Sequence, residues 1–441
     1  MSPWRFIIPM GLWVFIYSTY EKNAQGESQK MNIYFSKKVR SVYFFESTVT
    51  ISTSNNEYNF FGAMAYIIHC MCESITSLRD IAIALKRKVK VEAEITSIEQ
   101  KVVENTLQSK DNSFLFSETK ENYDVEVYNT YGKRFPQILH LELTSSCNLN
   151  CEHCYKDANK RKKYISLDEL KRKIYLPFMN KTQVIHFTGG EPTINPHFEE
   201  IVNCFSQAYT LQLTTNGTNL LNYPMELFKQ FQGIDISLYG INNDEYFLNT
   251  KSNRSFDNLI LACEKLSSSK IPFRHTVVLN HRNVSKMEDY LNFSISLGAT
   301  SFGYALPVKS GRLLNSDSAE WSFTTDEIDM IYRTFRALNT KYKDKIDITP
   351  WHRSNYASAL KHKNPFERPM CSAGSKAWWM SEDFIFRPCA FLPAEYLSLN
   401  YDEFMGYVHT QTSVDWRSAY ERLSDYCKCN NISIADICTV F

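Results

Sequence analysis

With 441 residues the chain is long enough for two or three domains, and 44% hydrophobic and 14% aromatic residues can bury a sizeable core. The formal net charge of +1 gives no global reason to expect nucleic acid or a membrane surface, although short basic runs occur at Lys86 to Lys88 and Lys160 to Lys163. Glycine and proline, 14 of each, are too few for long disordered linkers, and no repeat or low-complexity tract is visible.

The chain opens with an apolar stretch from Phe6 to Tyr20 that follows Arg5. It is short for a membrane span and is interrupted by Pro9 and Gly11. No small-residue cleavage site follows it, against a signal peptide. Residues 21–30 are polar and Met31 opens a segment that reads as folded protein. Residues 1–30 are therefore expected to be an upstream extension with Met31 as the working start. A membrane-proximal anchor is the second reading.

The first block runs over residues 31–125. Ser41 to Phe45, Thr48 to Ser52 and Tyr58 to Phe61 read as strands. Ala63 to Glu73 reads as a helix, and Ser77 to Leu85 as a second, capped by Thr76 or Ser77. Glu92 to Leu107 reads as a third, with Ile95, Ile98, Val102, Val103 and Leu107 at helical spacing. A strand at Ser113 to Phe116 closes a small winged-helix shape.

The second block, residues 135–320, alternates strand and helix. Strands are predicted at Ile138 to Leu143, Val184 to Phe187, Thr210 to Thr214, Ile234 to Leu238, Phe273 to Leu279 and Ser301 to Leu306. Helices are predicted at Leu167 to Met179, His197 to Ala208, Met225 to Phe231, Phe256 to Leu266 and Val284 to Ser296. This alternation predicts an α/β fold, a parallel sheet with helices outside, open or closed into a partial barrel. Sites in such sheets lie beyond the C-terminal ends of the strands. The unusual residues fall there: Cys147 to Cys154, Gly189 to Pro192, Thr215 to Gly217 and Tyr239-Gly240. The third block, residues 345–441, reads as irregular and carries Trp351, Trp378, Trp379 and Trp416.

The 12 cysteines are grouped rather than spread like a disulfide framework, which favours metal binding in a large intracellular protein. Cys70, Cys72, Cys204 and Cys263 sit in apolar or helix-like stretches and read as buried thiols. Cys147, Cys151 and Cys154 crowd one loop, and Cys371, Cys389, Cys427, Cys429 and Cys438 form a late group. A structural zinc site wants four ligands. Three thiolates on one tight loop can instead hold three irons of a four-iron, four-sulfur cluster and leave the last iron open to a chelating ligand. Zinc, completed by His153 or a distant residue, is the alternative.

CNLNCEHC, residues 147–154, resembles the CxxxCxxC signature of the radical S-adenosylmethionine (radical SAM) superfamily, and the second block resembles that family's partial (β/α)6 barrel. The resemblance implies that Cys147, Cys151 and Cys154 hold the cluster and that the methionine end of SAM chelates the open iron. SAM would be cleaved reductively to a 5′-deoxyadenosyl radical that abstracts hydrogen from substrate. Gly189-Gly190-Glu191-Pro192 is similar to the family's GGEP motif, which implies binding of the SAM amino group. Asn216 and Ser237 fall where relatives bind the ribose and carboxylate of SAM, and His153 falls where a ring lies against the adenine. The alternatives for Asn216 and Ser237 are an Asn-Gly turn and a strand-end hydroxyl. Arg274 and Arg312 are candidate carboxylate partners.

The late cysteines resemble the auxiliary iron-sulfur extension of peptide-modifying members, called SPASM or, when shortened, twitch. Cys371 and Cys389 flank an expected hairpin, with Pro388 before Cys389 as in that family. Cys427, Cys429 and Cys438 depart from the family spacing, so one auxiliary cluster and one spare cysteine are expected. Residues 31–125 resemble the PqqD-like element that binds a precursor's leader peptide as an added strand. A DNA-binding winged helix is the alternative, but Thr76 to Leu85 offers only Arg79 as a basic side chain.

The resemblance implies a cytoplasmic enzyme that modifies a ribosomally made precursor peptide, forming a crosslink or related change. An external one-electron donor such as flavodoxin or ferredoxin would serve it, with no nucleic acid or membrane partner. A formylglycine-forming oxidase of the sulfatase-maturation type is the second reading. An iron-sulfur redox sensor is the third, disfavoured because a sensor needs no SAM pocket.

Overall fold

The computed structural model describes residues 32–35, 39–44, 49–53, 57–60, 67–68, 71, 77–89, 98, 102, 114–117, 126–129, 135–159, 161–252, 255–308, 310–315, 319–348, 377–391 and 398–410. Residues 1–30 and Cys70, Cys72, Cys371, Cys427, Cys429 and Cys438 lie outside them, as do most of the helices expected at 63–73 and 92–107. The chain divides into two compact units, Met1–Tyr131 and Gly132–Phe441.

In the first unit β2 (Val39–Phe44), β3 (Val49–Thr53) and β4 (Glu57–Phe60) form an antiparallel meander. Strand β6 (Glu126–Asn129) adds to β2 in parallel, giving the order β4-β3-β2-β6. Strand β1 (Asn32–Phe35) pairs antiparallel with β5 (Phe114–Ser117). Neither β1 nor β6 was legible as a strand. The helix Leu78–Val89 starts where expected and runs four residues past the predicted end at Leu85. The Ser77 hydroxyl accepts the Asp80 N–H at its start. Leu78, Ile81, Ala82 and Leu85 recur on one face and are buried, as an amphipathic helix requires.

Among the described residues the second unit is built on one nine-stranded sheet. Strands β7 (Ile138–Glu142), β8 (Val184–Thr188), β9 (Thr210–Thr215), β10 (Phe231–Ser237), β11 (Arg274–Val278) and β12 (Ser301–Ala305) lie side by side in chain order, all parallel. This is an α/β fold with the mostly parallel open sheet of a partial barrel. Helices Phe198–Phe205, Ser255–Ser268 and Met287–Ser296 alternate with the strands, as the periodicity predicted. Leu139, Leu141, Ile185, Phe187, Leu211 and Ile236 face the helices and are fully buried or nearly so. Between them His140, His186, Gln212, Thr214 and Asp235 point to the opposite, concave side and keep partial exposure. Period-two alternation thus separates a packed outer face from an open inner one.

Two features depart from the expected irregular third block. Strand β13 (Asp347–Ile348) extends the sheet in parallel beyond β12, and β14 (Ala377–Met380) adds in parallel to the other edge, on β7. Strand β15 (Phe386–Arg387) returns antiparallel to β14, making the hairpin expected before Cys389. Burial drives this docking. Trp378 is fully buried against Phe404 and Tyr407 of the helix Tyr401–Thr410, and Phe386 stacks on Phe404 at 3.9 Å between ring centroids. The 18-residue helix Thr325–Tyr342, opened by a Thr324/Glu327 capping box, falls in the gap between the second and third predicted blocks and was missed. No helix among the described residues is long and apolar enough to cross a membrane.

Replacing Phe404 with alanine should destabilise the second unit by about 3–5 kcal/mol, because a fully buried ring leaves a cavity. Urea unfolding measures the loss, and hydrogen exchange should locate the weakening at β14 and β15.

Candidate active site

The ends of β7, β8, β9 and β10 meet over one loop. It leaves β7 at Leu143 and returns at Ile165, whose N–H donates to the Leu143 carbonyl at 3.1 Å. The buried Asn195 seals this neck, its Nδ2 donating to both carbonyls, Leu143 and Ile165, at 3.0 Å each. Asn159 folds the loop inward, its Oδ1 accepting the Cys147 N–H at 2.7 Å and its Nδ2 donating to Leu149. Gly311 brings the chain so close that a Cβ there would lie 2.2 Å from the Cys154 carbonyl. Arg312 then grips the loop. Its Nη1 donates to the Cys151 carbonyl at 2.7 Å, its Nη2 to the Ala158 carbonyl at 2.6 Å, and its Nε to Asp157 at 3.1 Å. Arg312, expected as a carboxylate partner, thus pairs with the Asp157 carboxylate and holds the loop.

These contacts bring the three thiols together. Burial pushes the Cys147 thiol up to about 12, with the Glu191 and Cys154 charges adding to it. Burial also pushes Cys151 well up, with Cys147 and Cys154 both contributing. Among the described residues no three His, Cys, Asp or Glu side chains are grouped at one ion position. Three thiols carried on one loop suit a cluster, whose ligands sit on separate irons. Such thiols are deprotonated only by a positive centre that binds them.

The Gly189-Gly190 turn closes over the loop. Gly190 N–H donates to the Thr144 carbonyl and Glu191 N–H to the Ser146 carbonyl, both at 2.8 Å. A Cβ on Gly190 would lie 2.0 Å from the Ser146 oxygen, and Gly189 holds a φ of +137°, so both positions demand glycine. Pro192 starts a single 3-10 turn. The Glu191 carboxylate is buried and turned to β9, where it accepts from the Thr193 and Thr215 hydroxyls at 2.6 and 2.7 Å and from Thr193 and Asn216 N–H groups. Its side chain therefore braces two strand ends against each other.

Asn216 lies between this brace and the cysteines. Its Nδ2 donates to Asn148 Oδ1 at 2.8 Å and approaches Cys147 Sγ at 3.8 Å, and its Oδ1 accepts from Thr218. Ser237 ends β10, and just beyond it burial pushes the Tyr239 hydroxyl well up, with the nearby Cys151 thiol adding to it. His153 packs between Tyr239 and Trp321, with ring centroids 5.5 and 4.8 Å away. Its Nδ1 is buried with no hydrogen-bond partner, and burial holds the ring neutral, pushed down to about 4. An orphaned ring nitrogen and a glycine-lined cradle are what a bound nucleoside and amino acid would fit.

Beside the site lies a buried charge network that sequence reasoning missed. Lys156 Nζ donates to Glu142 at 2.5 Å and to Glu382 at 2.6 Å, and Arg387 reaches Glu142 at 3.3 Å. It ties the cysteine loop to the β14–β15 hairpin. Just beyond that hairpin, Cys389 is buried. Nothing in the residue pattern flagged the charge network, because each charge finds its partner only when β14 docks on β7. Cys263 is buried beside His275 as expected, whereas Cys204 is only half-buried. All described cysteines are free thiols.

Residues 141–294 match the family model of the Radical SAM superfamily, and this stretch is a radical SAM domain. The chain is 24% identical over 317 residues to the antilisterial bacteriocin subtilosin biosynthesis protein AlbA of Bacillus subtilis, covering 70% of this chain and 68% of AlbA. It is 26% identical over 260 residues to the sporulation killing factor maturation protein SkfB of the same organism, covering 56% of this chain and 59% of SkfB. In fold it resembles SuiB of Streptococcus suis bound to S-adenosylmethionine, with a TM-score of 0.60, 12% identity and coverage of 85% of this chain and 88% of SuiB. SuiB bound to precursor peptide SuiA gives a TM-score of 0.58 at 11% identity, over 87% of this chain and 88% of that one.

Two substitutions probe the site. Gly190→Ala should displace the cysteine loop and lower iron bound per chain on reconstitution, with the fold retained by circular dichroism. Lys156→Met leaves Glu142 and Glu382 buried without their shared cation and should cost about 3–5 kcal/mol in urea unfolding of the iron-free chain.

Proposed function

We propose that this radical SAM protein modifies a ribosomally made precursor peptide by hydrogen abstraction, forming a crosslink. The carrying observation is the three-cysteine loop, clamped by Arg312 and roofed by Gly189-Gly190, at the mouth of a sheet whose concave face is polar and open. Relatives named for the making of a bacteriocin and of a killing factor support a peptide substrate.

In this reading Cys147, Cys151 and Cys154 hold a four-iron, four-sulfur cluster. When bound with SAM, the cluster supplies the one-electron reduction that yields a 5′-deoxyadenosyl radical. Gly189 to Pro192 cradle the SAM amino group through backbone, because the Glu191 carboxylate serves Thr193, Thr215 and Asn216. Asn216 and Ser237 receive the ribose and carboxylate, and the neutral His153 ring lies against the adenine. Cys389, with cysteines drawn from Cys371, Cys427, Cys429 and Cys438, holds one auxiliary iron-sulfur cluster. The domains are residues 31–125 for leader recognition, 135–320 for the radical SAM barrel and 345–441 for the auxiliary cluster. A flavodoxin or ferredoxin supplies the electron in the cytoplasm.

Co-expression with a small peptide encoded beside the gene, followed by mass spectrometry, tests the reading. A mass loss or crosslink is expected, and an unchanged peptide with reconstituted enzyme and SAM counts against it. Cys151→Ala should abolish SAM cleavage. Cys389→Ala should leave cleavage and lower product.

A further inference from the structure

The basic run at Lys160 to Lys163 belongs to the same loop as the three cysteines. Its backbone is held inward. Asn159 N–H donates to the Ser145 carbonyl at 2.9 Å, Lys163 N–H donates to the Ser145 hydroxyl at 3.2 Å, and the Thr144 hydroxyl donates to the Lys163 carbonyl at 2.7 Å. Tyr164 is bridged antiparallel to Thr144. The strip 161–164 therefore runs back alongside the residues that lead into Cys147, and Asn159 accepts the N–H of Cys147 itself. With the backbone turned to the loop, the side chains stand in solvent. Arg161 is 77% exposed, Lys163 45% and Tyr164 40%, and Lys162 is exposed as well.

Two further elements border the strip. The turn between β14 and β15 brings Asp383, which pairs with Lys163 at 2.6 Å and with Arg161 at 3.5 Å. Lys173, from the π-helical turn Lys171–Tyr175, stands 4.1 Å from the ring centroid of the adjacent Phe384. Glu169 forms the capping box with Ser166 and feels the charges of both Lys163 and Lys173. Arg161, Lys162, Lys163 and Lys173 thus outnumber Asp383 and Glu169 two to one, beside a Cys147 that is only half-buried. Exposed ion pairs contribute little to stability, so the fold does not need this excess of cations.

We propose that this surface docks the electron donor, a small one-electron carrier with an acidic face. The inference rests on the proposed function, in which an electron has to reach the cysteine loop from outside. The Gly189-Gly190 turn closes over that loop, whereas the strip 161–164 is a part of it that stands in solvent. The carrier gives up one electron, the cysteine-held centre takes it, and no atom is exchanged with this chain. Electron-transfer encounters bury little area and depend on matched charge. Complementary charge raises the encounter rate and turns the acidic face toward the loop. Tyr164 adds an aromatic contact of the kind enriched at interfaces. Two carboxylates among the cations suit a protein face carrying both signs better than a continuous chain of phosphates.

The probe is a dye-labelled flavodoxin, an acidic flavin protein, titrated with the full iron-reconstituted chain and followed by fluorescence anisotropy. Binding is expected at low salt and should weaken as salt rises. The double substitution Arg161→Gln, Lys162→Gln should weaken it roughly fivefold and flatten the salt dependence. Asp383→Asn removes a carboxylate from the same surface and should tighten binding about twofold. Misfolding would not produce such a gain, so this variant decides the question even if the double variant folds poorly. SAM cleavage driven by limiting flavodoxin should fall in the double variant. Cleavage driven by dithionite, which is too small to need a docking face, should be unchanged. The proposal is overturned if flavodoxin does not bind the wild-type chain, if the double variant binds it equally well, if Asp383→Asn weakens binding, or if random-sequence duplex DNA displaces the carrier. Normal cleavage with dithionite but no carrier binding sinks the docking face alone. Carrier binding and cleavage with an unmodified precursor peptide sink the peptide reading alone.

Discussion

The constraint on which the rest depends is the close backbone approach of the Gly189-Gly190 turn to residues 144–146. No side chain fits between the Gly190 position and the Ser146 carbonyl. That contact fixes where the cysteine loop begins relative to the end of β8. The brace from Glu191 to Thr215 and Asn216 then carries the same fixation to β9. The loop's far side is set by a second close approach, where Gly311 delivers Arg312 onto the Cys151 and Ala158 carbonyls. The three thiols are thus positioned by backbone contacts on both flanks, before any metal is considered.

The division of labour follows from that geometry. Side chains that resemblance assigns to cofactor binding turn out to spend part of their hydrogen-bonding capacity on each other. Glu191 is a strut, Asn216 links the strut to the loop, and Asn195 locks the loop's neck. What remains open are backbone surfaces, the orphaned His153 nitrogen and the polar concave wall. Rigid struts around an open cavity are the arrangement that positions a reactive group while leaving room for its target.

The hairpin β14–β15 joins the same sheet as the barrel and is held by unlike forces on its two sides. Outside, Trp378 and Phe386 bury against the helix 401–410. On the other side, Lys156, Glu142, Glu382 and Arg387 form a balanced set of two cations and two carboxylates. Hydrophobic burial supplies affinity without direction. Buried charges penalise any register that leaves one unpaired, so the network specifies how the hairpin sits on β7.

Much was legible without coordinates. The six parallel strands follow from strict alternation of short apolar runs with helical periodicity, and the site follows from cysteine and glycine identities that few other local structures require. Even the hairpin before Cys389 was expected, from the resemblance of Cys371, Pro388 and Cys389 to the auxiliary iron-sulfur extension. Arg312 was expected to partner a carboxylate, but which one carried no signal: its guanidinium meets Asp157, 155 residues away in sequence. Lys156 and Glu382, 226 residues apart, carried no signal at all. Local pattern encodes backbone period and turn chemistry, so the sequence by itself determined the six strands of the parallel sheet, the cysteine loop and the glycine turn. Only the tertiary structure decided which face of the sheet is covered and which charges pair, because those depend on surfaces brought together by long-range packing.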